Sequence, residues 1–450
     1  MRVGRRQVLL GGFGIGVAAA AGPRLAAARD ETISPQAFST YGIVPGGGEI
    51  DQTATLQLAA DEAAQSGMPL FLPAGVYSTS QLNLKSGTQI EGVPGRTILR
   101  YRDGNAILNL DRADNVRLAG LVLDGENKPL GDGGALLTAT AAKHLDFSDC
   151  RFLGSAENGV VLRKISGWIR NCEIGDVRKA ALFSEDATGL EIARNHIHDC
   201  GDNGILVWRS HPGEDATIVT GNRIERIAAK SGGSGQNGNG INVFRAGSVL
   251  VSGNRITDCA FSAIRSNAGS NCQMIGNSCA RLGEVALYAE FAFEGAVIAN
   301  NLVDKAAIGV SVTNFNEGGR LAVVQGNLIR NLFLRKDAET RGIGIAVEAD
   351  TVVTGNVIES SPAFGIMVGW GRYLRDVSVT DNLIRQAHIG IGVSIDPAAG
   401  TALITNNLIA GSKEGAIRAM SGPTPVGPDL AKEGAEAYRN LAVYTNVSRS

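Results

Sequence analysis

The sequence predicts an all-β, single-stranded right-handed parallel β-helix with three strands per coil, an asparagine ladder and an N-terminal capping helix. Three observations carry that prediction. An asparagine recurs in an Asn-x-Ile-like phrase at intervals of 23 to 32 residues, a period that belongs to solenoids. Short alternating runs of four to six residues, the pattern of strands, fill the space between. Glycine is abundant at 59 residues, without a collagen period, as many tight turns require.

The elements follow in order along the chain. Arg5 and Arg6, an apolar stretch from Val8 to about Ala21, and Ala26-Ala27-Ala28 have the order of an export signal. Residues 1–28 are therefore read as a twin-arginine signal peptide, handled by the twin-arginine export machinery. Its alternative is an uncleaved membrane anchor. No later stretch is apolar enough to span a bilayer. Residues 29–80 form the expected N-terminal cap. Within it, 51–66 reads as an amphipathic helix, with Asp51 or Thr53 as N-cap and Gly67 as stop.

Residues 81–420 carry about a dozen coils. The ladder slot holds Asn195, Asn222, Asn254, Asn277, Asn301, Asn327, Asn356, Asn382 and Asn407. Stacked at the same turn, each amide satisfies the next amide and the turn carbonyls. Cys150 and Cys172 take the slot in two earlier coils. They are close enough for a disulfide in principle, or stand as two small buried residues continuing the ladder, the preferred reading. Residues 421–450, with a weak helix from Asp429 to Tyr438 and a last strand from Asn440 to Val447, are the expected C-terminal cap.

The formal charge is −2, and removal of Arg2, Arg5, Arg6 and Arg24 with the signal takes it to −6. That balance argues against general nucleic-acid binding. At 44% hydrophobic residues the chain is too apolar for disorder. The six cysteines show no zinc-type CxxC spacing.

A capping helix, then Leu-Phe-Leu-Pro-Ala-Gly75-Val-Tyr77, a Leu82 to Gly92 phrase, and ladder coils together resemble the pectate-lyase-type β-helix superfamily. With the paired arginines, the chain is similar to a family of twin-arginine-translocated repeat proteins of unassigned function. The resemblance implies lyase, hydrolase or epimerase action on polysaccharides, or binding without catalysis. The sequence lacks the Asp-Asp pair, Gly-His-Gly and Arg-x-Lys of polygalacturonases, and the Tyr-Gly-x-Asp-Pro-His of alginate epimerases. No catalytic residue therefore carries over.

Site candidates rest on strand register alone. The Gly-Ile-x-Val strands place Ile205 and Val207 inside, and Leu206 and Trp208 outside. Carried across coils, the outer face includes Arg163, Ser184, Trp208, Phe244, Arg265, Tyr288, Glu290 and Glu348. Trp208 and Phe244 are expected to stack on sugar rings. Arg163, Arg209, Arg245 and Arg265 are expected to pair with uronate carboxylates of an acidic polysaccharide. Glu290, Glu348 and Tyr288 are the acid–base candidates. The glycine-rich insert Ser231–Gly240 precedes the Phe244 strand and is placed to close over a ligand. His196 and His198 point the same way from one strand, but no third ligand is evident. No metal and no cofactor are assigned. Against the processing enzyme stands a non-catalytic structural or adhesive protein of the cell envelope.

Overall fold

The computed structural model describes residues 42–449, apart from 47, 132, 234, 317 and 336–340. The expected export segment, 1–28, lies outside the described residues.

Each coil turns at a residue in the left-handed backbone region just before the ladder position. Gly221, Gly253, Gly326 and Gly355 hold φ between 63° and 65° there. Glycine reaches this region without a Cβ clash, which explains the Gly-Asn phrase. Asp149, Asn171, Asn300, Asp381 and Asn406 adopt the same conformation, which their short polar side chains tolerate.

The ladder follows from that turn. Asn222 Nδ2 donates to the Ile192 carbonyl at 2.9 Å and to Asn254 Oδ1 at 2.9 Å. Its Oδ1 accepts from Asn195 N at 2.9 Å and Asn195 Nδ2 at 3.0 Å. The pattern repeats to Asn407, whose Nδ2 donates to Asn446 Oδ1 at 2.9 Å. Asn446 is thus one more rung, hidden from sequence reading by a 39-residue gap. At the other end, Cys172 N donates to Asn195 Oδ1. Cys150 and Cys172 are both buried, and all six cysteines are free thiols.

Three strands follow one another in each coil. Around Asn195 they are Glu191–Ala193, His196–Cys200 and Asn203–Glu214. The first type stacks into one 15-stranded parallel sheet, from Leu70–Leu72 to Leu441–Tyr444. Alternation turns every second side chain into the coil. Ile197, Ile224, Ile256, Cys279, Val303 and Ile329 lie in register on successive coils, all fully buried. Each aliphatic side chain so buried contributes about 2 kcal/mol.

The N-terminal edge is closed by the helix Thr53–Ser66. Its N-cap is Gln52 rather than Asp51 or Thr53; Asp51 Oδ1 accepts from Thr53 N at 3.0 Å just ahead of it, and Gly67 ends it with φ 72°. Leu56, Ala59, Ala60 and Ala63 form its buried stripe. Gln57 clamps the first open strand edge: its Oε1 accepts from Asn83 N at 2.8 Å, and its Nε2 donates to Asn83 O at 2.9 Å. Unpaired strand edges otherwise invite association with other chains.

The far end differs from the expected cap. The helix there is a single turn, Leu430–Glu433, preceded by a hairpin strand, Thr424–Asp429, that pairs antiparallel with Ile417–Ser421. Leu441–Tyr444 and Val447–Arg449 then add parallel strands to both sheets. The chain therefore begins another coil after the insertion. No described helix is long and apolar enough to cross a membrane.

Candidate functional site

The third strand of each coil builds the outward face. Register fixes two rows of side chains along it. One runs Phe183, Leu206, Asn242, Arg265, Tyr288, Ser311; the other runs Arg163, Glu185, Trp208, Phe244, Asn267, Glu290, Thr313. Ser184 is a correction. It pairs with Val207 and points inward, fully buried, while its neighbours Phe183 and Glu185 face out. That coil reads Ala180-Ala-Leu-Phe-Ser and lacks the glycine that marks register elsewhere.

The first half of the face is aromatic. Phe183 and Trp208 meet edge-on, with centroids 5.4 Å apart, and Trp208 and Phe244 are also 5.4 Å apart. Phe183 is not among the expected stacking residues; the misplaced register of its coil hides it. Arg163 lies over Phe183 at 5.8 Å and Arg245 over Phe244 at 4.6 Å. Such contacts use the negative face of the ring.

The four arginines differ in how free they are. Arg163 Nε donates to Glu185 Oε2 at 3.1 Å. Arg265 Nε donates to Glu290 Oε1 at 2.5 Å. Both are therefore neutralised within the chain. Arg209 Nη1 donates to the Ala187 carbonyl at 3.4 Å, and Arg245 Nη1 to the Ser210 carbonyl at 3.3 Å. Neither has a salt-bridged carboxylate among the described residues.

The second half of the face is a polar cluster. Glu290 is 2% exposed and also accepts from Asn267 Nδ2 at 2.9 Å. Burial, and then the Glu290 charge, push the Tyr288 hydroxyl up to about 12. At neutral pH it is a proton donor rather than a base. Tyr288 and Glu290 are brought together, with the Arg265 guanidinium 5.8 Å from the Tyr288 ring. Glu348 stands apart. Its Oε2 accepts from Asn314 N and Phe315 N, each at 2.9 Å. Burial raises its carboxyl above the usual range, and those two amides oppose the rise. Two strand spacings separate the Glu290 and Glu348 positions, roughly 10 Å. Each leans toward its own preceding coil, so the lean does not close that gap. An open concavity of about 890 Å³ sits against the capping helix, lined by Leu58, Asp61 and Lys85 among others.

The insert Ser231–Gly240 is pinned to the preceding coil through Asp202 and Asn203. Ser231 donates to Asp202 through N at 2.8 Å and Oγ at 2.7 Å. The Gln236 carbonyl accepts from Asn203 Nδ2 at 3.2 Å and Asn242 Nδ2 at 3.4 Å. The loop thus lies against Asn242, and Gly235 comes beside the Arg265 guanidinium at the edge of the polar cluster.

On the second strand of the coil, His196 and His198 share one side, their ring centroids 4.5 Å apart. A third candidate ligand, unseen in the sequence, is Glu173 on the preceding coil, the register partner of His196. The ladder itself carries the signal: Glu173 follows Cys172 as His196 follows Asn195. Two imidazoles and a carboxylate are the ligand types of first-row transition ions.

The family model described as right handed beta helix region matches residues 212–384, and that described as periplasmic copper-binding protein (NosD) matches residues 89–279. No curated protein matches the chain by sequence. Among solved structures, pre-mature gene product 12 of bacteriophage phi29 is 16% identical. The TM-score is 0.52 over 90% of this chain and 58% of that one, so the chain spans little more than half of that protein. The catalytic unit of a thermostable GH87 α-1,3-glucanase from Streptomyces thermodiastaticus is 15% identical, with a TM-score of 0.50 over 96% of this chain and 70% of that one. At such identities the likeness is one of fold alone.

Proposed function

We propose that this right-handed parallel β-helix is an exported protein that binds a polysaccharide along the outward face of its third strands. The observation that carries the reading is the aromatic run Phe183, Trp208, Phe244, laid across consecutive coils and continued by the polar cluster of Arg265, Asn267, Tyr288 and Glu290. Flat apolar faces stack on sugar rings, and amide, hydroxyl and carboxylate groups read sugar hydroxyls. The coil repeat, about 4.8 Å per strand, sets these groups in a line suited to an extended chain.

Acidic sugars are the preferred ligands. Arg245 and Arg209 supply the cations, because Arg163 and Arg265 already hold carboxylates of their own chain. Processing would run through Tyr288 as proton donor with Glu290 beside it, and Glu348 as a more distant carboxyl. Export is supported by the paired arginines near the N-terminus and by the periplasmic family whose model matches residues 89–279. One protein of the same fold is an α-1,3-glucanase.

The test is a glycan-array screen of the purified chain, acidic against neutral polysaccharides, with product analysis on every hit. Trp208→Ala is expected to weaken binding about tenfold, the loss of roughly 1.4 kcal/mol of stacking. Cleavage that disappears in Glu290→Gln and Tyr288→Phe, with binding retained, identifies an enzyme. Binding without turnover assigns the structural or adhesive role, which the intramolecular pairing of Glu290 with Arg265 favours. Absence of binding to every glycan refutes the reading.

A further inference from the structure

We propose that Glu173, His196 and His198 form a binding site for one divalent first-row transition ion. One ligand atom from each lies within 4.8 Å of the others. Metal–ligand bonds of about 2.0–2.1 Å require these atoms to draw together to about 3.3–3.5 Å. The side chains have the freedom to do so: His196 is 41% exposed, and Glu173 29%.

Two features beyond proximity single the cluster out. Gly175 is the register partner of His198, and a Cβ there would run into His198 Cε1. Its backbone is not left-handed, so the glycine answers to space rather than to a turn. It lets the His198 ring lie back across the strand to Glu173, whose Oε1 is 3.2 Å from Nε2. The other ring nitrogen is already held. His198 Nδ1 is 2.7 Å from Asp199 Oδ2, and Arg226 clamps Asp199 from Nε at 2.8 Å and Nη2 at 2.9 Å. A carboxylate on one nitrogen orients the ring and presents the opposite nitrogen, as in most histidine–metal sites.

The neighbouring charges leave room for a cation. Arg151 engages the second oxygen of Glu173 at 3.2 Å. Glu225, paired with Arg223 and Arg226, places an oxygen 3.2 Å from His196 Nε2. Two imidazoles with one carboxylate select zinc, copper or nickel over magnesium and calcium, which take oxygen ligands. With three protein ligands, a position stays open to water or a small ligand. The cluster lies on the second strand of its coil, so it is independent of the polysaccharide reading.

The experiment is calorimetric titration of the tag-free full chain with Zn²⁺, Cu²⁺ and Ni²⁺ in turn, with Mg²⁺ and Ca²⁺ as controls. One transition ion per chain is expected, with no binding of the controls. His196→Ala and His198→Ala should each weaken binding at least tenfold. Gly175→Ala, which keeps all three ligands but displaces the His198 ring, should weaken it several-fold with an unchanged circular dichroism spectrum. Trp208→Ala should leave it unaltered. No stoichiometric binding of any of the three ions would overturn the proposal. So would binding that survives in the His196→Ala, His198→Ala double variant.

Discussion

Asp215 shows what a single misplaced charge does in a stacked core. It is 1% exposed, its Oδ1 accepts from Thr217 Oγ1, and its Oδ2 has no partner. Burial pushes its carboxyl up to about 6 from the usual 3.8, against the opposing effects of Thr217 and Arg209. The folded chain therefore holds this proton more tightly than the unfolded chain. Its contribution to stability is fully present below about pH 4 and is lost as pH rises through 6. Asp215→Asn should raise stability by about 2 kcal/mol at pH 7.5 and by little at pH 4, read from urea midpoints at the two pH values. Gly253 isolates a different effect. It sits at φ 63° with nothing within 4 Å of where a Cβ would stand, so a side chain there meets strain but no clash. Gly253→Ala should cost about 1 kcal/mol, and Gly253→Asn less than half of that, by the same denaturation measurement.

The ladder rung is the next unit up. Asn277 accepts from Asn254 N and Nδ2, and donates to Val251 O and Asn301 Oδ1. Asn277→Ala removes the acceptor of the Asn254 backbone N–H and of one Asn254 Nδ2 hydrogen, and one donor from each of Val251 O and Asn301 Oδ1, and should cost about 3 kcal/mol. Asn277→Asp should cost at least as much, because an oxygen would replace the Nδ2 donor against two acceptors. Thermal unfolding followed by circular dichroism would rank the two. These rungs are legible in the sequence because one turn geometry forces one dipeptide. The Gly-Asn phrase records a left-handed residue followed by a buried amide, and both demands recur from Asn195 to Asn407. What outward side chains touch is less legible. Sequence alone sets Ser184 on the wrong face because its coil spells the turn without glycine. The pairing of Arg163 with Glu185, and of Arg265 with Glu290, depends on which residues meet across coils, a register that single strands do not state. Glu173 escapes notice as a partner of His196 for the same reason, although counting from the ladder aligns them.

The whole molecule is a stack with unlike ends. The helix Thr53–Ser66 plugs one end and satisfies the first strand edge through Gln57. The other finishes on strands whose Tyr444 and Val447 are 56% and 52% exposed. Between them the outward rows and the imidazole cluster lie on different strands of the same coils and share no residues. The rungs also have a mechanical meaning. Tension along the stack axis loads them in series. The coils should peel one turn at a time. Each turn of about 25 residues would release roughly 80 Å of slack. A protein tethered at both ends would in this way absorb a pull by lengthening in even steps.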